Sequence, residues 1–264
     1  MLDIRHVYKT FNPRTINEKV ALADLNLRLN EGDFVTVIGG NGAGKSTMLN
    51  AVAGVWSVDE GEIIIDGKDV TAKPEYKRAA VIGRVFQDPM MGTAPNMQIE
   101  ENLALALRRG KHRSLRWGIR RSEREMYKER LSILGLGLEN RLTAKTGLLS
   151  GGQRQALTLL RASLQKPKLL LLDEHTAALD PATAAKVLEV TDRLIQENHL
   201  TAMMITHNMT DAIRHGNRLI MMNEGHIVLD ISGEEKKKIT KAELLERFAV
   251  STGVDEETDS LLLS

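Results

Sequence analysis

Residues 39–47 read "GGNGAGKST", which fits the spacing G-x-x-x-x-G-K-[ST]. An apolar run, "DFVTVI", leads into it, and a helix-forming run, "KSTMLNAVAGV", follows and stops at Gly54. That order suits phosphate binding. Gly39 and Gly44 let backbone N–H groups turn inward, with Gly40, Asn41, Gly42 and Ala43 completing the loop. The following helix adds positive potential at its N-terminus. Lys45 suits the β- and γ-phosphates of a nucleotide, Ser46 a Mg²⁺ ion, and Thr47 the α-phosphate. Outside that context the same residues would form a glycine-rich turn with an exposed lysine.

Three further groups end apolar runs. In "LLLLDE", Asp173 closes a buried strand, where a carboxylate can hold Mg²⁺ through its water shell. Glu174 beside it is suited to orient and polarise an attacking water; an acidic pair there could also cap the next helix. His207 ends "AMMITH" and can donate to a γ-phosphate, or serve a purely structural role. Gln87 in "RVFQD" is predicted to end a strand, where a neutral amide can meet Mg²⁺ or its water.

The fourth group is "LLSGGQ". Ser150 and Gln153 have the spacing of a capping box, each side chain satisfying a free backbone N–H at a helix start. Capping does not account for Gly151 and Gly152, since glycine costs a helix about 1 kcal/mol per residue. Two residues without side chains would let a phosphate approach the helix end.

These groups must be carried by a framework. The chain has 264 residues, 42% of them hydrophobic, enough for one large domain or a domain with an inserted lobe. Net charge is +1, so general nucleic-acid binding is not expected. No cysteine is present, which excludes disulfides and thiolate metal sites and fits a reducing compartment. No run reaches membrane-span length and the N-terminus lacks the pattern of a signal peptide, so a soluble protein is expected, with any membrane role through a partner. Residues 1–33 alternate as an antiparallel sheet, 61–70 and 217–232 read as hairpins, and 79–87, 168–174 and 200–208 read as strands. The pattern turns helical between about 98 and 165. The fold class predicted is α/β: a mostly parallel P-loop core, an N-terminal antiparallel β-subdomain and an inserted α-helical subdomain. The boundaries are a domain over 1–232, with a core at 1–87 and 166–232 and a helical subdomain at 88–165. A tail with one short helix fills 233–264.

"GGNGAGKST", "VFQDP", "LSGGQ", "LLLLDE", "ALD" and "ITHN" stand in the order found in ABC-type ATPases. Over about residues 1–232 the chain resembles the ATP-binding subunit of an ABC transporter. The resemblance implies ATP and Mg²⁺ as cofactors, Glu174, His207 and Lys45 in catalysis, and Ser46, Gln87 and Asp173 around the metal. It also implies an aromatic stacked on adenine, Phe11 in "HVYKTF" ahead of Tyr8, and Asp180 of "ALD" in contact with another subunit. Two copies, or two paired cassettes, would pack head to tail, with Ser150, Gly151, Gly152 and Gln153 of one closing on the nucleotide of the other. Proline or another small residue is usual in the family where His175 stands.

A single cassette without a span implies separate transmembrane permease subunits, a solute-binding protein and a place on the cytoplasmic face of the membrane. "LTAKTGLLSGGQ" favours a bacterial importer, and residues 90–121 are similar to a group of importer ATPases, some of them linked to aromatic amino acids. The alternative is a non-transport member such as an iron–sulfur assembly ATPase. The basic stretch Arg108–Arg130 reads as a solvated helical face, as a surface for anionic headgroups or acidic partner loops, or as a nucleic-acid contact.

Overall fold

Alternation of apolar and polar residues builds β1 (Leu2–Phe11) and β2 (Lys19–Leu29), which pair antiparallel with Leu2 opposite Leu29 and Phe11 opposite Lys19. β3 (Phe34–Ile38) is buried throughout and feeds the glycine loop and α1 (Lys45–Ala53), which ends at a left-handed Gly54. β4 (Glu60–Ile65) pairs with the free edge of β1 and turns through Asp66 and Gly67, both at positive φ, into β5 (Lys68–Asp69). The short α2 (Glu75–Arg78) closes this part. The computed structural model describes residues 1–111 and 118–252. The chain divides into two compact units, Met1–Arg78 with the segment from Leu200, and Ala79–His199.

Arg78 is 2% exposed, and its guanidinium donates to four backbone carbonyls: Ala51 and Val52 in the last turn of α1, and Thr71 and Lys73. Helix C-termini leave carbonyls short of intrahelical donors, and here one side chain donates to two of the last turn, that of Ala51 also accepting from Gly54 N–H. Burial lowers the Arg78 pKa, yet a guanidinium stays protonated. Arg78→Met is expected to lower unfolding stability by roughly 2–4 kcal/mol, because charged hydrogen bonds are lost and buried carbonyls are left unmet; urea denaturation checks this.

In the second unit β6 (Ile82–Val85) and β7 (Leu169–Asp173) pair parallel, Val85 opposite Leu172. β6 is shorter than the strand predicted at 79–87. The Val81 carbonyl accepts from Lys168 and Leu169 N–H at its start, and the Phe86 carbonyl accepts from the Gln155 amide just past its end. Gln87 therefore lies in a bend two residues beyond the strand and does not end it. The helices are α3 (Ile99–Leu107), α4 (Arg121–Ser132), α5 (Gly151–Ser163) and α6 (Pro181–Asn198). Arg124 grips the buried Glu100 with two bonds, 2.7 and 2.9 Å, and Arg108 pairs with Glu123 at 2.9 Å. Part of the basic stretch thus joins α3 to α4, while its residues 112–117 lie outside the described residues.

The chain then returns as β8 (Thr201–Ile205), α7 (Met209–Arg214), β9 (Arg218–Asn223) and β10 (His226–Ser232). β3 pairs parallel with both β8 and β9, and β9 turns into β10 through Glu224 and Gly225, both left-handed. The tail holds two helices, α8 (Gly233–Lys238) and α9 (Lys241–Thr252), where one was expected. The "GEEKKK" of α8 carries no apolar periodicity to betray it; it is held instead by Lys236, whose buried ammonium donates to the carbonyls of His215 and Gly216. Ile239, Leu244 and Phe248 join Ile38, Leu219 and Met221 in one core cluster, so the tail is packed through at least Phe248. Residues 253–264 of the predicted tail lie outside the described residues. Among the described residues no helix is long and apolar enough to cross a membrane.

Candidate active site

The glycine loop is shaped by contacts as well as by conformational freedom. Gly39 has φ 148°, and a Cβ there would stand 2.2 Å from the Met222 carbonyl oxygen. Gly44, the N-cap of α1, has φ 101°, with its Cβ position 2.5 Å from the Ala21 carbonyl oxygen. Only glycine fits either place. Lys45 is 5% exposed; its Nζ donates to the carbonyls of Gly39 (2.6 Å) and Gly40 (3.0 Å), so the ammonium folds back over the loop. Ser46 is exposed and Thr47 half-buried at the start of α1.

Two side chains not singled out from the sequence bear on this part, Lys19 beside the loop and Trp56 against Phe11. Lys19 places its Nζ 2.9 Å from the Cβ position of Gly42, and it is the cross-strand neighbour of Phe11. The Phe11 ring meets Trp56 edge-on, centroids 4.9 Å apart at 80°, with the Lys9 ammonium 5.7 Å from the Phe11 centroid. Tyr8 is exposed. Trp56 lies outside every motif, so nothing in its spacing marked it.

His207 lies in the same unit, past the C-terminal end of β8. Its turn is pinned on both sides: Thr206 N–H donates to the Val37 carbonyl, and the Asn208 amide oxygen caps α7 by accepting from Thr210 and Asp211 N–H. His207 itself is half-buried.

In the second unit Asp173 ends β7, half-buried, with Oδ2 3.5 Å from Arg84 Nη2. Arg84 also stacks on Phe86, Cζ 4.6 Å from the ring centroid. Sequence reading passed over Arg84, although a charge inside "AVIGRVF" was the available signal. Glu174 has φ 44°, a left-handed backbone that is uncommon for a residue with a side chain and concentrates at functional sites. His175 is buried against α6: its Nε2 is 3.0 Å from Thr191 Oγ1, whose own hydrogen goes to the Val187 carbonyl. The unusual histidine thus ties the turn after Glu174 to α6. Gln87 is exposed.

The capping box forms as expected: Gln153 N–H donates to Ser150 Oγ and Ser150 N–H to Gln153 Oε1, both 3.3 Å. The two glycines differ. Gly151 is exposed, and a Cβ there would meet only Leu179 Cδ2 at 3.4 Å, an ordinary contact. Gly152 is buried, and its Cβ position is 2.0 Å from Thr183 Cγ2. One glycine leaves the helix end bare; the other admits α6. Asp180 caps α6 by accepting from Thr183 N–H at 3.0 Å, and hydrogen bonds from the Thr183 side chain and backbone hold its carboxyl below the usual range.

α5 is also fastened to the loop after Gln87. Arg154 donates to Met90 Sδ (2.7 Å) and to the carbonyls of Thr146, Gly147 and Leu149. A Cβ on Gly92 would sit 2.2 Å from Thr158 Cγ2, so that loop lies directly on the helix. Arg154→Ala is expected to leave secondary structure intact but to speed proteolysis within 88–95 several-fold; limited digestion followed by mass spectrometry checks this.

A glycine loop on a parallel strand–helix joint, with an acidic strand end elsewhere in the chain, defines a P-loop nucleotide-hydrolysing protein. Residues 22–177 match the family model described as ABC transporter. A tyrosine transport ATP-binding protein of Clostridioides difficile is 44% identical over 253 residues, covering 94% of this chain and 98% of that protein. A spermidine/putrescine import ATP-binding protein of Haemophilus ducreyi is 33% identical, covering 98% of this chain and 65% of the relative. A solved dimeric ATP-binding cassette in a post-hydrolysis state with ADP and Pi superposes with a TM-score of 0.74 at 30% identity, covering 88% and 98% of the two chains. The chain belongs to the ABC transporter family. It is an ATP-binding, ATP-hydrolysing subunit built on a single cassette.

Proposed function

We propose that the chain powers import of a small solute, an aromatic amino acid such as tyrosine, as the ATPase of a multi-subunit transporter. The observation that supports this most is the phosphate loop and the bare Gly151 helix end on one chain, together with the likeness to a tyrosine transport ATP-binding protein over nearly the full length of both. Lys45 leaves the Gly39 and Gly40 carbonyls for the β- and γ-phosphates. Phe11, braced by Trp56, receives the adenine. Glu174 takes the proton of the attacking water, and His207 steadies the γ-phosphate.

The donors assigned to a metal, the Ser46 hydroxyl, the Asp173 carboxylate and the Gln87 amide, are hard oxygens of the kind Mg²⁺ takes in company with phosphates and water. Among the described residues no cluster of three His, Cys, Asp or Glu competes with that assignment. When bound, Mg²⁺ would neutralise charge on the phosphate oxygens.

Gly151 and Gly152 put backbone N–H groups at a helix start, and the Ser150–Gln153 segment carries no lysine of its own, so it suits the nucleotide held by a second copy or a paired cassette, with Asp180 at the same junction. Permease subunits, a solute-binding protein and a place on the cytoplasmic face of the membrane complete the assembly. Deleting the chain from its host should abolish uptake of labelled tyrosine, and Lys45→Ala should fail to restore it. Purified Lys45→Ala, shown to be folded by circular dichroism, should bind ATP at least tenfold more weakly. Undiminished tyrosine uptake in the deletion strain would overturn the solute assignment.

A further inference from the structure

Arg84 sits in a four-residue strand whose Ile82, Gly83 and Val85 are all buried. A charge in such a setting needs partners. It has the face of Phe86 and the carboxylate of Asp173, and both ionic side chains are largely shielded from water, 13% and 17% exposed. The strand register explains the reach: Arg84 stands opposite Leu171, and Asp173 is two residues further on the same face of β7. At 3.5 Å the contact is an ion pair and not a full hydrogen bond.

We infer that Arg84 holds the place of the divalent cation at Asp173 and yields it when the metal arrives. This rests on the reading of Asp173 as the metal-bearing carboxylate. A half-buried carboxylate needs a countercharge before any metal is present, and a guanidinium supplies one that it cannot lose by deprotonation. The stack on Phe86 gives the displaced arginine somewhere to stay. Arginine and metal then compete for the same carboxylate, so Arg84 raises the Mg²⁺ concentration the site requires. A cation at this range changes how tightly a carboxylate holds a proton by about ten- to a thousandfold, and a metal with its water shell contends for the same lone pairs.

The test uses the full chain and needs no turnover: binding of a fluorescent ATP analogue is followed while free Mg²⁺ is titrated. Arg84→Met should lower the half-saturating Mg²⁺ by about tenfold, and Arg84→Lys, which keeps the charge, should stay within about twofold of native. Asp173→Asn serves as the control and should raise the Mg²⁺ requirement sharply. A native requirement in Asp173→Asn would sink the assignment of Asp173 itself. A changed requirement in Asp173→Asn with none in folded Arg84→Met would overturn the role of Arg84 alone, as would an equal fall in Arg84→Lys. Should Arg84→Met prove unstable, Arg84→Gln is read in the same way.

Discussion

Glu174→Gln should bind ATP, stop turning it over, and accumulate as an ATP-bound dimer. The substitution keeps the length and shape of the side chain and removes only its charge and basicity. General-base catalysis by a placed carboxylate contributes about 10²–10⁴-fold, so phosphate release should fall by at least two orders of magnitude, equivalent to about 2.7 kcal/mol or more in the barrier. Loss of a negative charge also relieves repulsion with the γ-phosphate, which favours the closed, ATP-loaded pair. The left-handed backbone at Glu174 is a constraint that helix capping alone would not require. Size-exclusion chromatography in ATP-Mg²⁺, beside a phosphate-release assay, is decisive: a monomer peak, or release at the native rate, would count against the assignment.

Substitutions at the two signature glycines should have opposite consequences. Gly151→Val should leave folding and ATP binding close to native yet abolish hydrolysis, because an added Cβ makes only an ordinary contact with Leu179 while the side chain obstructs an approaching phosphate. Gly152→Val should lose stability whether or not nucleotide is present. Its Cβ would lie 2.0 Å from the Thr183 methyl, and overpacking of that kind costs about 1–3 kcal/mol. Thr183→Ser removes the offending methyl, so Gly152→Ala in that background should recover much of the loss seen with Gly152→Ala alone. Thermal unfolding and ATP turnover on the same samples separate the cases. Normal hydrolysis by Gly151→Val would refute its role toward a second subunit.

The strands and the phosphate loop were legible because each depends on local pattern: β2 alternates, β3, β7 and β8 are mostly apolar runs, and the loop has fixed spacing. The capping box was legible for the same reason. What escaped depends on partners remote in sequence. Nothing within "LSGGQ" shows that Thr183 faces Gly152, that Lys236 is buried beneath two carbonyls, or that Trp56 braces Phe11. The end of β6 was misplaced because the Phe86 carbonyl is claimed by Gln155 from another helix, a bond invisible to strand propensity. Asp180 illustrates the reverse: its role as helix cap is local, while the contact across subunits was suggested only by family resemblance.

The parallel pairing of β3 carries a consequence for biosynthesis. Phe34 pairs with Ala202 and Val35 with Arg218, and the carbonyl of Met222 forms one wall around Gly39. The loop that leads the chain in order of translation therefore waits for residues made after more than half of the sequence has emerged. Loop closure over that distance is slow, and a parallel strand left without neighbours is exposed to aggregation. ATP can help the nascent chain only late, once β8 and β9 have left the ribosome, and ribosome-stalled chains ending before β8 should not retain nucleotide.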